Sequence, residues 1–112
     1  MVLVTVRRDS RQRLSSLFAS GHAGWADSGS DVVCAAVAAV LQAAWLGLER
    51  VALVRVDGKR AEGTLSLAWP EAARESPALS AIVTTAELAI EQIARQYPRH
   101  VRLSRETECP AP

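Results

Sequence analysis

Cysteine is scarce in this sequence: Cys34 and Cys109 are its two cysteines, and they lie far apart in the 112 residues. Neither belongs to a CxxC motif or to a Cys/His cluster with metal-ligand spacing, which argues against a structural zinc site. Two thiols are also too few for the disulfide framework of a small secreted protein. The sequence therefore favours a reduced, cytoplasmic protein without a bound metal.

A surplus of charge is also missing, because 13 Lys and Arg residues face 12 Asp and Glu residues. This balance argues against strong nucleic-acid binding, and the 49% of hydrophobic residues argues against disorder. The N-terminus lacks a signal-peptide pattern, and no run of about 18 apolar residues predicts a membrane span. We expect one domain over residues 1–104 and a disordered tail over residues 105–112.

The hydropathy pattern predicts an α+β two-layer sandwich with the element order β-β-α-β-β-α-β. Its sheet is expected to have about five, mainly antiparallel strands, with both helices on one face. The expected elements are strands at 2–8, 13–20, 51–56 and 60–69, helices at 32–47 and 77–97, and a short strand at 101–103.

Three local signals set expectations for the middle of the chain. Asp57-Gly58 is the strongest hairpin signal. Ser30 or Asp31 is a suitable N-cap for the first helix, and Gly47 a suitable stop. Because this helix is apolar nearly all round, we expect it to be central and to help form a homodimer.

The segment from Gly21 to Val37 carries the residues that suggest chemistry. It reads Gly21-His22-Ala23, then a glycine-containing loop, then Gly29-Ser-Asp-Val-Val-Cys34-Ala-Ala-Val. A thiol protease needs a thiolate nucleophile and an imidazole that activates it. If Asp31 caps the helix, Cys34 is at position N3, where free N–H groups and the helix dipole favour a thiolate.

Each of these residues also has a purely structural interpretation. A cysteine in an Ala/Val helix is usually a small buried hydrophobe. A histidine in a loop is usually solvated, and an aspartate before a helix is usually a cap. When the thiol, the imidazole and the helix start are considered together, a catalytic role and a purely structural role are about equally supported.

This joint pattern resembles the ribosomal-processing cysteine protease family, Prp, most closely from Gly21 to Val40. The resemblance implies a homodimeric α+β endopeptidase that needs no cofactor. Its substrate would be a precursor of a bacterial large-subunit ribosomal protein, from which it removes the N-terminal extension. The catalytic residues of the family match Cys34 as nucleophile and His22 as base, then acid.

The remaining candidate site residues lie in or beside the glycine-rich loop. Gly21, Gly24 and Gly29 would let this loop open and close over a substrate. Trp25 would line a substrate cleft or cover the edge of the core, and the sequence leaves both open. The set expected to bind substrate or shape the loop is Gly21, Ala23, Trp25, Gly29 and Asp31.

Alternatives to a protease remain at this stage. Ala38 stands where the family commonly has serine, which favours a weak or inactive interaction protein of the same fold. A redox-sensing thiol would rest on Cys34 alone and leave His22 unexplained. The arginines at positions 7, 8, 11 and 13 form a basic cluster, either a solvated turn or a surface that attracts a ribosomal precursor or RNA.

Overall fold

The structure, a computed structural model, describes the backbone of residues 1–21 and 28–108, with side chains for all of these except 28–31. The elements follow the predicted order β-β-α-β-β-α-β, with a 3-10 turn before the second helix. They are β1 Val2–Arg8, β2 Leu14–Ser20, α1 Ser28–Arg50, β3 Asp57–Ala61, β4 Thr64–Ala68, α2 Pro77–Gln96 and β5 Val101–Thr107.

The five strands form one mixed sheet in the order β3-β4-β2-β1-β5. All neighbouring strands are antiparallel except β1 and β5, which are parallel. The predicted α+β class and the mainly antiparallel sheet are therefore confirmed. β5 reaches Thr107, further than expected, so residues 105–107 of the expected tail belong to the sheet.

The core lies between the sheet and the two helices. Val2, Val4 and Val6 alternate along β1 and are at most 4% exposed, while Leu3 and Arg7 point to the other face. This period of two is why the strand was predictable from sequence. Side chains of α1 and α2 complete the same buried cluster, as expected for helices on one face.

The hairpin between β3 and β4 turns at a different place from the one expected. Its two-residue turn is Glu62-Gly63, where Gly63 adopts a left-handed φ of +77°. Asp57-Gly58 instead begins β3, the expected strand at 51–56 is not formed, and the turn divides the expected strand at 60–69 between β3 and β4. A Cβ at position 58 would overlap the indole ring of Trp45, so this glycine is required for packing on α1 and not for a turn.

Helix α1 begins earlier and ends later than expected. It starts at Ser28, because small polar residues are tolerated in a first helical turn and do not mark a loop. It continues through Gly47, whose missing side chain leaves room for Ile82 of α2; an added Cβ would lie 3.3 Å from Ile82 Cγ2. Gly47 therefore permits close helix packing and does not stop the helix.

Helix α1 is also less central than its composition suggests. Within the chain it buries one stripe, formed by Val33, Val37, Leu41, Ala44 and Leu48. Residues 32–50 are long and apolar enough to pass for a membrane span by length and composition, which corrects the expectation of no such segment. The buried stripe of this helix packs into the core cluster, and 28% of the apolar segment is buried within the chain.

Helix α2 has the expected start, with the Ser76 side chain accepting a hydrogen bond from Leu79 N and Pro77 in the first turn. Glu87 of this helix is a charged residue that is only 3% exposed. Its carboxylate accepts from Arg8 of β1 at 3.0 and 3.2 Å and from Arg105 of β5 at 2.7 Å. Burial opposes ionisation, but these guanidinium groups outweigh it and lower the pKa of Glu87.

Asp9 organises the turn between β1 and β2. Its carboxylate accepts backbone N–H bonds from Arg11 at 2.9 Å and Arg13 at 3.1 Å. It also pairs with the side chains of Arg13 at 2.9 Å and Arg74 at 3.0 Å. Burial alone would raise the pKa of Asp9, but these hydrogen bonds lower it from 3.8 to about 2.

Replacing Asp9 with asparagine is expected to lower stability and change its pH dependence. Because the folded-state pKa lies below the ordinary value, the stabilisation is complete above pH 3.8 and is lost as pH falls toward about 2. We expect Asp9→Asn to lower Tm by about 4–8 °C at neutral pH, and by less at pH 2. Calorimetry across pH 2–7 measures both effects, with Glu106→Gln as an exposed control. An Asp9→Asn protein whose Tm falls with pH as steeply as the parent would contradict this role.

Candidate active site

Cys34 lies on the side of α1 that faces the sheet. Its side chain is half-buried and packs against the core. It lines a pocket of about 200 Å³ at the end of the sheet, where β1 begins and β2 ends. The thiol therefore faces a space that a small group can enter.

Three segments enclose this pocket, and their side chains are mostly apolar. Helix α1 contributes Cys34, Val37, Ala38, Leu41 and Gln42. The ends of β1 and β2 contribute Val2, Ala19, Ser20 and Gly21, and the β3–β4 hairpin contributes Arg60, Ala61, Gly63, Thr64 and Leu65. Such a lining suits an apolar side chain of a peptide.

Gly21 sits at the edge of the pocket in a conformation that favours glycine. Its φ is +94°, and an added Cβ would overlap the carbonyl oxygen of Met1. Its N–H donates to the carbonyl of Gly63 at 2.9 Å, which ties the end of β2 to the hairpin. His22 follows Gly21 directly in the sequence, so the described chain leads from the pocket to the candidate base.

The structure places two of the predicted site residues, Cys34 and Gly21, around one pocket. The backbone at Gly29 and Asp31 is part of α1, and the Asp31 side chain is not among those that the structure describes. The other predicted site residues, His22, Ala23 and Trp25, lie outside the described residues, as does Cys109.

The expected position of Cys34 at the start of the helix is wrong. Since α1 begins at Ser28, Asp31 is inside the helix and is not its N-cap. Cys34 lies in the second turn, beyond the four residues whose N–H groups lack helical acceptors. The helix terminus therefore does not supply the thiolate stabilisation that the sequence suggested.

Position 38 is at the pocket, as its spacing from Cys34 implied. Ala38 follows Cys34 by one helical turn and lines the same cavity. A serine there would place a hydroxyl on the pocket wall beside the thiol. The departure from the family pattern thus falls on the site itself.

Sequence reasoning missed the contribution of the hairpin. Arg60 and Leu65 pair across β3 and β4, and both line the pocket. The signal that could have located them is Glu62-Gly63, a two-residue turn ending in glycine. Asp57-Gly58 is the stronger turn signal in the sequence, and the hairpin was therefore expected there and not at Glu62-Gly63.

The basic cluster at positions 7 to 13 is largely neutralised by its neighbours. Arg7 pairs with Glu106, Arg8 with Glu87, and Arg13 with Asp9, Glu71 and Glu75. The Arg13 guanidinium donates hydrogen bonds to Glu75 and Glu71, and these bonds raise its pKa. These pairs favour a structural role for the cluster over recognition of a precursor or RNA.

By fold and site, this is a two-layer α+β protein with a thiol in an apolar pocket between a helix and the sheet. The family model for cysteine protease Prp matches residues 1–102. The chain belongs to the Prp family of cysteine proteases. A comparison with curated proteins finds no match.

Solved structures share the fold along nearly the whole chain. SMU.848 from Streptococcus mutans has a TM-score of 0.88 at 25% identity, covering 96% of each chain. The ribosomal processing protease Prp from S. aureus, solved with a substrate peptide, has a TM-score of 0.83 at 20% identity; the match covers 94% of this chain and 99% of that one. A second S. aureus Prp structure contains a covalently linked product peptide and matches equally well.

Proposed function

We propose that this protein is a cysteine endopeptidase in which Cys34 is the nucleophile and His22 the general base. The observation that carries the proposal is the position of Cys34. Its side chain lines an apolar pocket that Gly21 also lines, and Gly21 directly precedes His22 in the sequence. Membership of a cysteine protease family supports it. The reaction needs no cofactor.

The proposed reaction has two steps. The Cys34 sulfur attacks the scissile carbonyl carbon after His22 accepts the thiol proton, and His22 then protonates the leaving amine. This leaves a thioester between Cys34 and the N-terminal fragment. Water, deprotonated by His22, hydrolyses the thioester to a carboxylate, and the thiol is restored.

The proposed substrate is a cytoplasmic precursor of a bacterial large-subunit ribosomal protein. Support comes from the S. aureus relative, a ribosomal processing protease that has been solved with a substrate peptide. The apolar pocket beside Cys34 suits an apolar or aromatic residue before the cut. Incubation with the precursor from the same organism, followed by mass spectrometry of its N-terminus, tests this. An unchanged precursor mass would reject the activity on this substrate.

A second candidate is a protein of the same fold that binds the precursor without efficient turnover. The observation in its favour is Ala38, which lines the pocket where the family commonly has serine. Binding of the precursor without cleavage would support this candidate, especially if Ala38→Ser introduced cleavage.

We also propose that two copies of the chain associate through α1 and α2. The two helices form an apolar groove of about 440 Å³ between them, lined by Ala43, Gly47, Ala81, Ala89 and their neighbours. Leu46 and Leu88 are also exposed, at 49% and 54%. Small residues in the groove permit close approach of a second helix, and association would cover an apolar surface that favours aggregation in a monomer.

A charge in this groove is expected to break the dimer. Ala43 is exposed in the single chain and lines the groove, so Ala43→Glu would bury a carboxylate only in the dimer. We expect the affinity between the two copies to fall about 100-fold or more, while each chain keeps its fold. Light scattering should show twice 12.0 kDa for the parent and 12.0 kDa for the variant. Ala72→Glu, at an exposed position in the 3-10 turn before α2 and outside the groove, is the matched control, and a monomeric parent would reject the proposal.

A further inference from the structure

Among the described residues that line the pocket beside Cys34, Arg60 is the one with a full charge. It is the cation there, and none of the described lining residues carries a carboxylate. Within the described part of the chain Arg60 also has no ion-pair partner, unlike Arg8, Arg13 and Arg105. Its guanidinium is therefore available to an anionic group that enters the pocket.

The surroundings of Arg60 hold its side chain on the pocket side of the sheet. Arg60 is opposite Leu65 in the β3–β4 register, and its guanidinium carbon lies 6.0 Å from the centre of the Trp45 ring. That ring can lie against β3 because Gly58, two residues earlier, has no side chain to obstruct it. The contact is a cation–π interaction that orients the guanidinium without neutralising it.

Resting on the proposed protease function, we propose that Arg60 is a specificity residue that binds a carboxylate beside Cys34. Arginine presents a planar fork of donors that matches a carboxylate. A peptide can supply that group in two ways: as an acidic side chain near the cut, or as the new C-terminal carboxylate that thioester hydrolysis creates. Arg60 would select substrate in the first case and hold product in the second.

Alkylation of Cys34 tests this recognition without requiring proteolysis. Iodoacetate carries a carboxylate and iodoacetamide does not, yet both alkylate the same sulfur. The rate at Cys34 in the full chain is measured by peptide mapping, and the iodoacetate-to-iodoacetamide ratio is compared between proteins. We expect Arg60→Gln to lower this ratio about fivefold, as for a partly exposed ion pair, and Arg60→Lys to restore much of it.

Lys59→Gln is the matched control, because Lys59 is the neighbouring residue on the opposite face of β3 and its loss changes the net charge equally. We expect its ratio to equal that of the parent. A ratio unchanged by Arg60→Gln, or lowered equally by Lys59→Gln, would overturn the role of Arg60 and leave the protease proposal intact. A Cys34 that reacts with neither reagent would overturn both proposals.

Two peptide comparisons identify the source of the carboxylate. If Arg60 holds product, Arg60→Gln removes a preference for the acid over the amide form of the N-terminal product peptide. If it selects substrate, the same variant removes a preference for glutamate over glutamine near the cut. Loss of either preference supports the proposal, and a parent protein with neither preference would overturn it.

Discussion

Replacing Cys34 with alanine is expected to abolish peptide cleavage while the protein stays folded. The thioester cannot form without the sulfur, so we expect activity to fall by about four or more orders of magnitude. Cys34 is half-buried at a pocket wall, and the alanine loses one small group, so stability should fall by about 1 kcal/mol. Mass spectrometry of the cleaved precursor measures the first effect, and thermal unfolding the second.

Cys109→Ala is the matched control for this variant because it removes the other cysteine of the chain. We expect it to cleave at the parent rate. Cleavage by the Cys34→Ala protein at even a tenth of the parent rate would reject the proposal that Cys34 is the nucleophile. Loss of cleavage in Cys109→Ala would show that the C-terminal segment takes part in the reaction.

Replacing His22 with alanine is expected to slow acylation by about two to four orders of magnitude with little change in peptide binding. The reason is that the described residues lining the pocket include no other side chain that can accept the thiol proton, since the ionisable one besides Cys34 is Arg60. Since α1 begins at Ser28, Cys34 lies six residues, more than one and a half turns, beyond the helix terminus. Single-turnover kinetics measures acylation, and binding of an uncleavable peptide measures affinity.

The pH dependence of Cys34 alkylation gives a second measure of His22. If the imidazole assists the thiol, the variant should lose reactivity near neutral pH and follow the profile of an ordinary thiol. His100→Ala is the control, because it removes the other histidine of the sequence; His100 is not among the described lining residues, and its contact with the pocket residue Val2 is through its backbone carbonyl, which the substitution keeps. Identical alkylation profiles in the His22→Ala and parent proteins would show that His22 does not activate the Cys34 thiol.

Several elements followed from local sequence alone. The alternation of Val2, Val4 and Val6 predicted β1, because successive side chains in a strand point to opposite faces. The start of α2 also follows from local chemistry, because the Ser76 hydroxyl accepts a free N–H of the first turn and Pro77 needs no hydrogen-bond donor there. These features depend on neighbours within one turn or one strand.

Other features depended on residues distant in sequence. Asp57-Gly58 is chemically a good turn, but Gly58 lies under Trp45 of α1, and that contact determined where the hairpin bends. A glutamate on a helix is usually solvated, but Glu87 is buried because the fold brings Arg8 of β1 and Arg105 of β5 within hydrogen-bond distance of its carboxylate. Packing between elements overrode local preference in both cases.

For the site, the sequence by itself determined the candidate nucleophile and base, because a thiol, an imidazole and a glycine-rich loop can be recognised from their order. It did not determine what surrounds the thiol. The pocket exists because β2 pairs with β4 and Gly21 bonds to Gly63, which brings the hairpin and Arg60 to Cys34. Strand pairing of this kind joins residues far apart in the chain, so the tertiary structure alone decided the pocket and its charge.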